Sequence, residues 1–248
     1  YYSIELKLES SRNGIFSNNA THGIGVYYDS NYNRIGGNNV SGNPNWAGID
    51  MSHSKYNSIG GNTITNNRHE GIHFFYSQSN KITWNTIISN VWGISLESGS
   101  DNNYVAVNTI LGNPNWGIYI EGSSGNNVTR NYIADNSAYG IRIEANSGLN
   151  NTINENRIIN HHYGIYYGIV QGSHSDFLLS QASEFLITEN TIENNDFGLY
   201  FTNGAGPAHV FHNNFINNTW DVTGVWGSTY DNGYPSGGNY WDKYTDVD

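Results

Sequence analysis

Short apolar runs punctuated by asparagine recur along the whole chain at one interval. "IGGNTI" (59–64), "ITWNTI" (82–87), "VAVNTI" (105–110), "VTRNYI" (128–133), "INENRI" (153–158), "ITENTI" (187–192) and "VFHNNF" (210–215) align with one another. So do "GIHFF" (71–75), "GISLE" (93–97), "GIYIE" (117–121), "GIRIE" (140–144), "GIYYG" (164–168) and "GLYFT" (198–202). The step is about 23 residues, the length of stacked units none of which can bury its apolar face alone. No stretch has helical periodicity, and the last segment of each unit alternates apolar and polar. Alternation sends the column Ile24, Ile49, Ile72, Ile94, Ile118, Ile141, Ile165, Leu199 inward and its neighbours outward. Three short strands per unit and one turn per unit predict an all-β fold, a parallel β-helix (solenoid) of about nine rungs.

Asparagine marks the corners of every unit. One ladder is Asn13, Asn38, Asn62, Asn85, Asn108, Asn131, Asn156, Asn190 and Asn213; a second runs from Asn18 through Asn136 to His161, Asn195 and Asn218. A third is Asn33, Asn57, Asn80, Asn103, Asn126 and Asn151. Asn tolerates the left-handed backbone of sharp bends, and stacked amides can bond from rung to rung. Sequons begin at Asn19, Asn39, Asn127, Asn150 and Asn217, as many as chance gives in so Asn-rich a chain. The twice-used "GNPNW" (42–46 and 112–116) is then one corner built three rungs apart, with Pro44 and Pro114 stiffening the bend. Packing is the expected role of Trp46 and Trp116.

Outward residues of the alternating strand form two columns that carry the chemistry. The first holds Asp50, His73, Ser95, Tyr119, Arg142, Tyr166 and Tyr200, the second Phe75, Glu97, Glu121 and Glu144. Adjacent rungs lie about 4.8 Å apart. Glu97, Glu121 and Glu144 therefore read as a row of carboxylates, suited to a glycosidase-like pair or to a hard cation such as Ca²⁺. Arg142 suits a substrate carboxylate, and His73 beside Asp50 suits a base. Tyr119, Tyr166 and Tyr200 are expected to offer flat faces to sugar rings. "HEGIH" (69–73) looks like a zinc-protease helix motif, but it falls on a turn entering a strand, where the two His cannot share a helical face.

Composition narrows the partners. The 248 residues carry a formal net charge of −11, with 10 Lys and Arg against 21 Asp and Glu. That disfavours nucleic acid and anionic membranes. There is no cysteine, hence no disulfide and no thiolate metal site. No apolar run is long enough to span a membrane, and no signal peptide is present. Carbohydrate, a divalent cation or another protein remain.

The Asn-rich repeat resembles the NosD-like, carbohydrate-binding-and-sugar-hydrolase class of right-handed parallel β-helices, over about residues 13–218. The tail "YDNGYPSGGNYWDKYTDVD" (230–248) is similar to the ends of such domains in archaeal cell-surface proteins. The resemblance implies a right-handed helix and an extracellular or cell-surface setting. Its class is functionally mixed, with copper-site maturation factors, polysaccharide epimerases and lyases, and envelope proteins. The Asp-Pro-His-Glu string associated with alginate epimerases is absent, and one Met without Cys leaves copper without soft ligands. Family tails run further, so the chain reads as a fragment.

Residues 1–218 are expected to form the β-helix and 219–248 an aromatic-rich cap over the last rung or along a side. "YYSIELKLES" (1–10) alternates like a strand but does not fit the rung spacing, so it is an entry rung or a cut edge. About ten extra residues between Tyr167 and Ile187 break the third ladder beside the outward face. For function, a noncatalytic module binding polysaccharide or an envelope glycan comes first. A lyase, C5-epimerase or hydrolase working over Glu97, Glu121 and Glu144 is the alternative. A purely structural element packing end to end or side to side is the third.

Overall fold

In a computed structural model the described residues are 2–144, 147, 150–168, 185–202, 205–224 and 227–243. Most of the expected insertion lies outside them, as do Val225, Trp226 and Tyr244 of the C-terminal segment. Among the described residues, twenty-nine short strands form three parallel sheets of ten, nine and ten strands, each drawing one strand from nearly every turn. The sheet with the longest strands, including Glu70–Phe75, Trp92–Glu97, Trp116–Glu121, Tyr139–Glu144 and Tyr163–Gly168, is called the long-strand sheet below.

The register is the one the period dictates. Ile94 pairs with Ile72 on one side and Ile118 on the other, and every inward column of the three sheets is buried. One continuous core of Ile, Val, Leu and Phe runs the length of the solenoid. Each fully buried side chain of this kind contributes about 1.5–3 kcal/mol. The glycine of each "GI" pair is set by packing: a Cβ on Gly117 would stand 2.6 Å from the Gly140 carbonyl oxygen and 2.6 Å from Ile133 Cγ2.

The asparagine ladders are real, but their backbone role differs from expectation. The left-handed residue is the one before each ladder asparagine: Trp84, Val107, Arg130 and Glu155 have φ near +55 to +60° ahead of Asn85, Asn108, Asn131 and Asn156. A β-branched residue such as Val107 takes this conformation at a cost of about 1–2 kcal/mol. The asparagine offsets it by hydrogen bonding. Asn131 Nδ2 donates to Val105 O at 2.9 Å, Thr129 O at 3.1 Å and Asn156 Oδ1 at 3.0 Å, and Asn131 Oδ1 accepts from Asn108 N and Nδ2, both at 2.9 Å. Corner carbonyls and amides that would be orphaned in the core are thereby satisfied.

His161 takes an asparagine's place in the second ladder. Asn136 Nδ2 donates to its Nε2 at 3.2 Å, and its Nδ1 contacts Asn195 Oδ1 at 3.1 Å. Those partners require Nδ1–H and a bare Nε2, a neutral ring, and burial lowers its pKa to about 4. It fills the corner.

Ile4–Leu6 pairs in register with Ile24–Val26, so the first segment joins the long-strand sheet as a further strand. Trp220–Thr223 adds the tenth strand of the long-strand sheet, and Tyr240–Trp241 pairs with Asn214 and Phe215. Trp241 stacks on Phe215, ring centroids 4.5 Å apart, and Asn239 extends the first ladder past Asn213.

Candidate functional site

The long-strand sheet displays all ten candidate residues on its outer surface. Register aligns Gly25, Asp50, His73, Ser95, Tyr119, Arg142, Tyr166 and Tyr200 in one column. Tyr27, Ser52, Phe75, Glu97 and Glu121 align in the next, where Glu144 sits beside Gly168. Side-chain contacts divide these columns into two charged clusters and a strip of rings.

Asp50 anchors the first cluster. Its Oδ2 accepts from the hydroxyls of Tyr2 at 2.8 Å and Tyr27 at 2.7 Å, and its Oδ1 lies 2.9 Å from His73 Nδ1. Glu97 Oε2 stands 3.7 Å from His73 Nε2 on the other side. Burial works against a charged imidazole, but the two flanking carboxylates and Glu70 override it and hold the His73 pKa at about 10. Burial alone would raise Asp50, yet the hydrogen bonds it accepts from His73, Tyr27 and Tyr2 keep its carboxyl below the usual range. Glu70, on the same strand, is pushed up by its burial. The raised pKa favours the imidazolium at neutral pH, the form with no free electron pair to take a proton, so the pairing suits a fixed cation better than the expected base. Both phenols are raised as well, chiefly by burial and by the Asp50 charge.

The second cluster centres on Arg142. Its Nε and one Nη donate to Glu144 Oε1 at 2.9 and 2.6 Å, and the Tyr119 hydroxyl donates to the same oxygen at 3.4 Å. Its guanidinium carbon lies 5.0–5.9 Å from the rings of Trp116, Tyr119, Tyr139 and Tyr166. Glu144 is only 6% exposed. The carboxylate row is thus interrupted: Glu97 serves His73, Glu144 serves Arg142, and Glu121 aligns with Glu97. Ser95, between His73 and Tyr119 in register, is fully covered, and its hydroxyl has no partner among the described residues.

The aromatic strip was only half foreseen. The residue before the "GI" or "GL" pair in five later rungs forms a third outward column, Trp92, Trp116, Tyr139, Tyr163 and Phe197, which Glu70 precedes and Trp220 extends. The recurrent "WGI", "WGI", "YGI", "YGI", "FGL" was the signal that reveals it. Trp92 stacks on Trp116, Tyr139 on Tyr163 and Tyr163 on Phe197, each pair 5.2 Å apart and 10–19° from parallel. Tyr166 and Tyr200 stack at 5.7 Å and 8°. These centroid distances follow the rung spacing, so the rings face one another along the axis. The strip presents edges and hydroxyls outward, where flat faces were expected.

A hollow opens on this surface. A cavity of about 380 Å³ beside Asp50 is lined by Tyr2, Glu5, Lys7, Tyr27, Tyr28 and Trp46. Trp46 is 54% exposed and has no ring partner among the described residues. Sequence reasoning assigned it to packing. Lys7 is held by Glu5 at 2.7 Å, so the three cations of this face, Lys7, His73 and Arg142, are each paired with a carboxylate.

Comparison with known proteins gives a consistent fold. Residues 22–177 match the sequence profile described as "Right handed beta helix region", and residues 169–246 match that described as "Periplasmic copper-binding protein (NosD)". No curated protein matches the chain. Among solved structures, a mutant of the periplasmic alginate epimerase AlgG superposes with a TM-score of 0.67 at 19% identity, over 82% of this chain and 52% of the other. The mannuronan C-5 epimerase AlgE4 A-module of Azotobacter vinelandii gives 0.63 at 12% identity, over 88% and 74%. The A-module of AlgE6 from the same organism gives 0.58 at 13%, over 84% and 64%. The chain spans about half the length of the AlgG structure it matches.

Copper does not fit the donors described. The one methionine, Met51, is sealed in the core, cysteine is absent, and among the described residues no three His, Asp or Glu are grouped to hold a metal. Nor, among the described residues, are three carboxylates grouped to hold the Ca²⁺ expected at the carboxylate row.

Proposed function

The chain belongs to the right-handed β-helix family, and on that footing we propose that it is a noncatalytic module that binds polysaccharide outside the cytoplasm. Its ligand is a neutral glycan lying across the long-strand sheet at the Asp50 hollow. The observation that carries this reading is the hollow itself: an unstacked Trp46, tyrosine walls, and carboxylates of Glu5 and Asp50 at its edge. An indole face suits the apolar face of a pyranose, and carboxylate and phenol oxygens suit its hydroxyls. Neutrality follows from charge. Lys7, His73 and Arg142 are already paired, so a uronate entering the hollow meets no free cation.

The experiment is a titration with neutral and uronate oligosaccharides, read by tryptophan fluorescence and calorimetry. Neutral oligosaccharides are expected to bind, and Trp46→Ala to weaken them at least tenfold. Saturable binding unaffected by Trp46→Ala overturns the site, and no binding of any glycan overturns the function.

A second reading is supported by the Asp50–His73–Glu97 cluster and by the similarity to epimerases: a polysaccharide-active enzyme on the same face. Lyase or epimerase chemistry needs a group that removes a proton next to a carboxylate, and the charged His73 and raised phenols of Tyr2 and Tyr27 are poor bases. Unsaturated or epimerised uronate product, lost in His73→Asn, would favour the enzyme.

A further inference from the structure

The corner between the long-strand sheet and the nine-stranded sheet holds a second hollow with opposite electrostatics. Arg34 and Lys81 open the strands Arg34–Gly36 and Lys81–Thr83, and both pair in register with Ser58. They therefore stand two rungs apart, about 10 Å, on the floor of a cavity of about 520 Å³. Tyr32 and Tyr56 form its wall, stacked at 5.1 Å and 14°, each more than half exposed. Ser58 and Ser79 add hydroxyls to the lining, beside Asn33 and Asn57.

The cations here are unpaired. Lys7, Arg130, Arg142 and Arg157 each have a carboxylate within 4 Å. Arg12, Arg34, Lys55, Arg68, Lys81 and Lys243 have none among the described residues, and four of these six, Arg12, Arg34, Lys55 and Lys81, stand on this corner. Four cations with no carboxylate within 4 Å thus share one corner, whose turns also carry Glu9, Asp29 and Asp101. Asp101, on the rung above Gln78, is engaged by the Ser124 N–H at 2.7 Å.

We propose that this corner binds an acidic polysaccharide lying along the solenoid axis. Arg34 and Lys81 take two anionic groups on successive disaccharides, and the Tyr32 and Tyr56 edges and hydroxyls contact the sugars between them. The two-rung spacing matches an anion repeated along a chain. This site is separate from the neutral-glycan hollow and does not depend on it.

The test is calorimetric titration of the full chain with oligogalacturonate, a sulfated dextran of matched length, unsulfated dextran and single-stranded oligonucleotide. At least one anionic glycan is expected to bind, with affinity falling as salt rises. Arg34→Gln or Lys81→Gln should each weaken it roughly threefold and the pair about tenfold, as for partly exposed charge contacts. The tighter of the carboxylated and sulfated ligands names the group. Trp46→Ala is expected to leave this binding intact, and the Arg34→Gln, Lys81→Gln pair to leave neutral-glycan binding intact, so the two sites fail separately. Absence of anionic-glycan binding, affinity unchanged in the double variant, or oligonucleotide binding as tight as either glycan overturns the proposal.

Discussion

The long-strand face and the Arg34–Lys81 corner use the same residue types to opposite ends. On the face each cation is locked between its own carboxylates: His73 by Asp50 and Glu97, Arg142 by Glu144, Lys7 by Glu5. At the corner Arg34 and Lys81 stand exposed in a hollow with no carboxylate in reach among the described residues. Internal pairing makes charge a structural element that orients side chains. Its absence leaves charge available for a ligand. The difference teaches that in an acidic solenoid the informative cations are the ones its own acids leave alone.

The sharpest way to break that comparison is to delete one cation from each region. His73→Ala leaves Asp50 largely covered beside Tyr2 and Tyr27 without its counter-charge, and is expected to cost about 3 kcal/mol. Lys81→Gln removes a solvated charge and is expected to stay within about 0.5 kcal/mol. Denaturant midpoints at constant m-value measure both. Equal costs would mean that the face pairs are as loose as surface ions.

Protonation separates paired from unpaired groups a second way. A folded pKa of about 10 for His73 lies above its unfolded value of about 6.5. Its contribution is therefore fully present below pH 6.5 and is lost as pH rises through about 10. His161 runs the other way. With a folded value of about 4, the unfolded chain takes up the proton first as pH falls, so about 3 kcal/mol of stability disappears between pH 6.5 and 4. His161→Asn, restoring an ordinary ladder residue, should flatten the acid limb alone. Urea titrations across pH measure the stability, and ring proton shifts should show His73 charged through pH 8.

How much of this was legible follows from what a repeat records. A period of two within a period of about 23 fixes which residues share a column, so the sequence alone places Asp50, His73, Tyr119 and Arg142 together. Sequence also marked the ladder asparagines. It hid the left-handed position one residue earlier, because Trp84, Val107, Arg130 and Glu155 share no chemistry and differ only in backbone. Choice of partner was hidden too. Glu144 turns to Arg142 two residues back on its own strand rather than to the Glu row, a matter of rotamers and of the four rings around the guanidinium. The stacked faces of Tyr166 and Tyr200 were missed because a column gives spacing without ring orientation.

Arg142→Lys sharpens the same point at smaller scale. Lysine keeps the charge but loses the two-pronged hydrogen bond to Glu144 and the planar contact with Trp116, Tyr119, Tyr139 and Tyr166. A cost of about 1–2 kcal/mol is expected, with neutral-glycan affinity at Trp46 unchanged. Thermal unfolding with a parallel glycan titration measures both.

The smallest stability effect is expected where the corner meets backbone strain. Tyr56 holds φ near +58° while its ring stacks on Tyr32 in the open. Glycine adopts that backbone without the roughly 1 kcal/mol penalty of an L side chain, but forfeits a ring pair worth about 0.5–1.5 kcal/mol. Tyr56→Gly should therefore leave stability within about 0.5 kcal/mol, whereas Tyr56→Ala keeps the strained backbone, loses the ring, and should cost about 1 kcal/mol. If Tyr56→Gly folds as well as the parent and still loses affinity for an acidic glycan, the tyrosine occupies a left-handed site for its ligand. If both variants bind oligogalacturonate as the parent does, the wall is inert and the corner works through Arg34 and Lys81 alone.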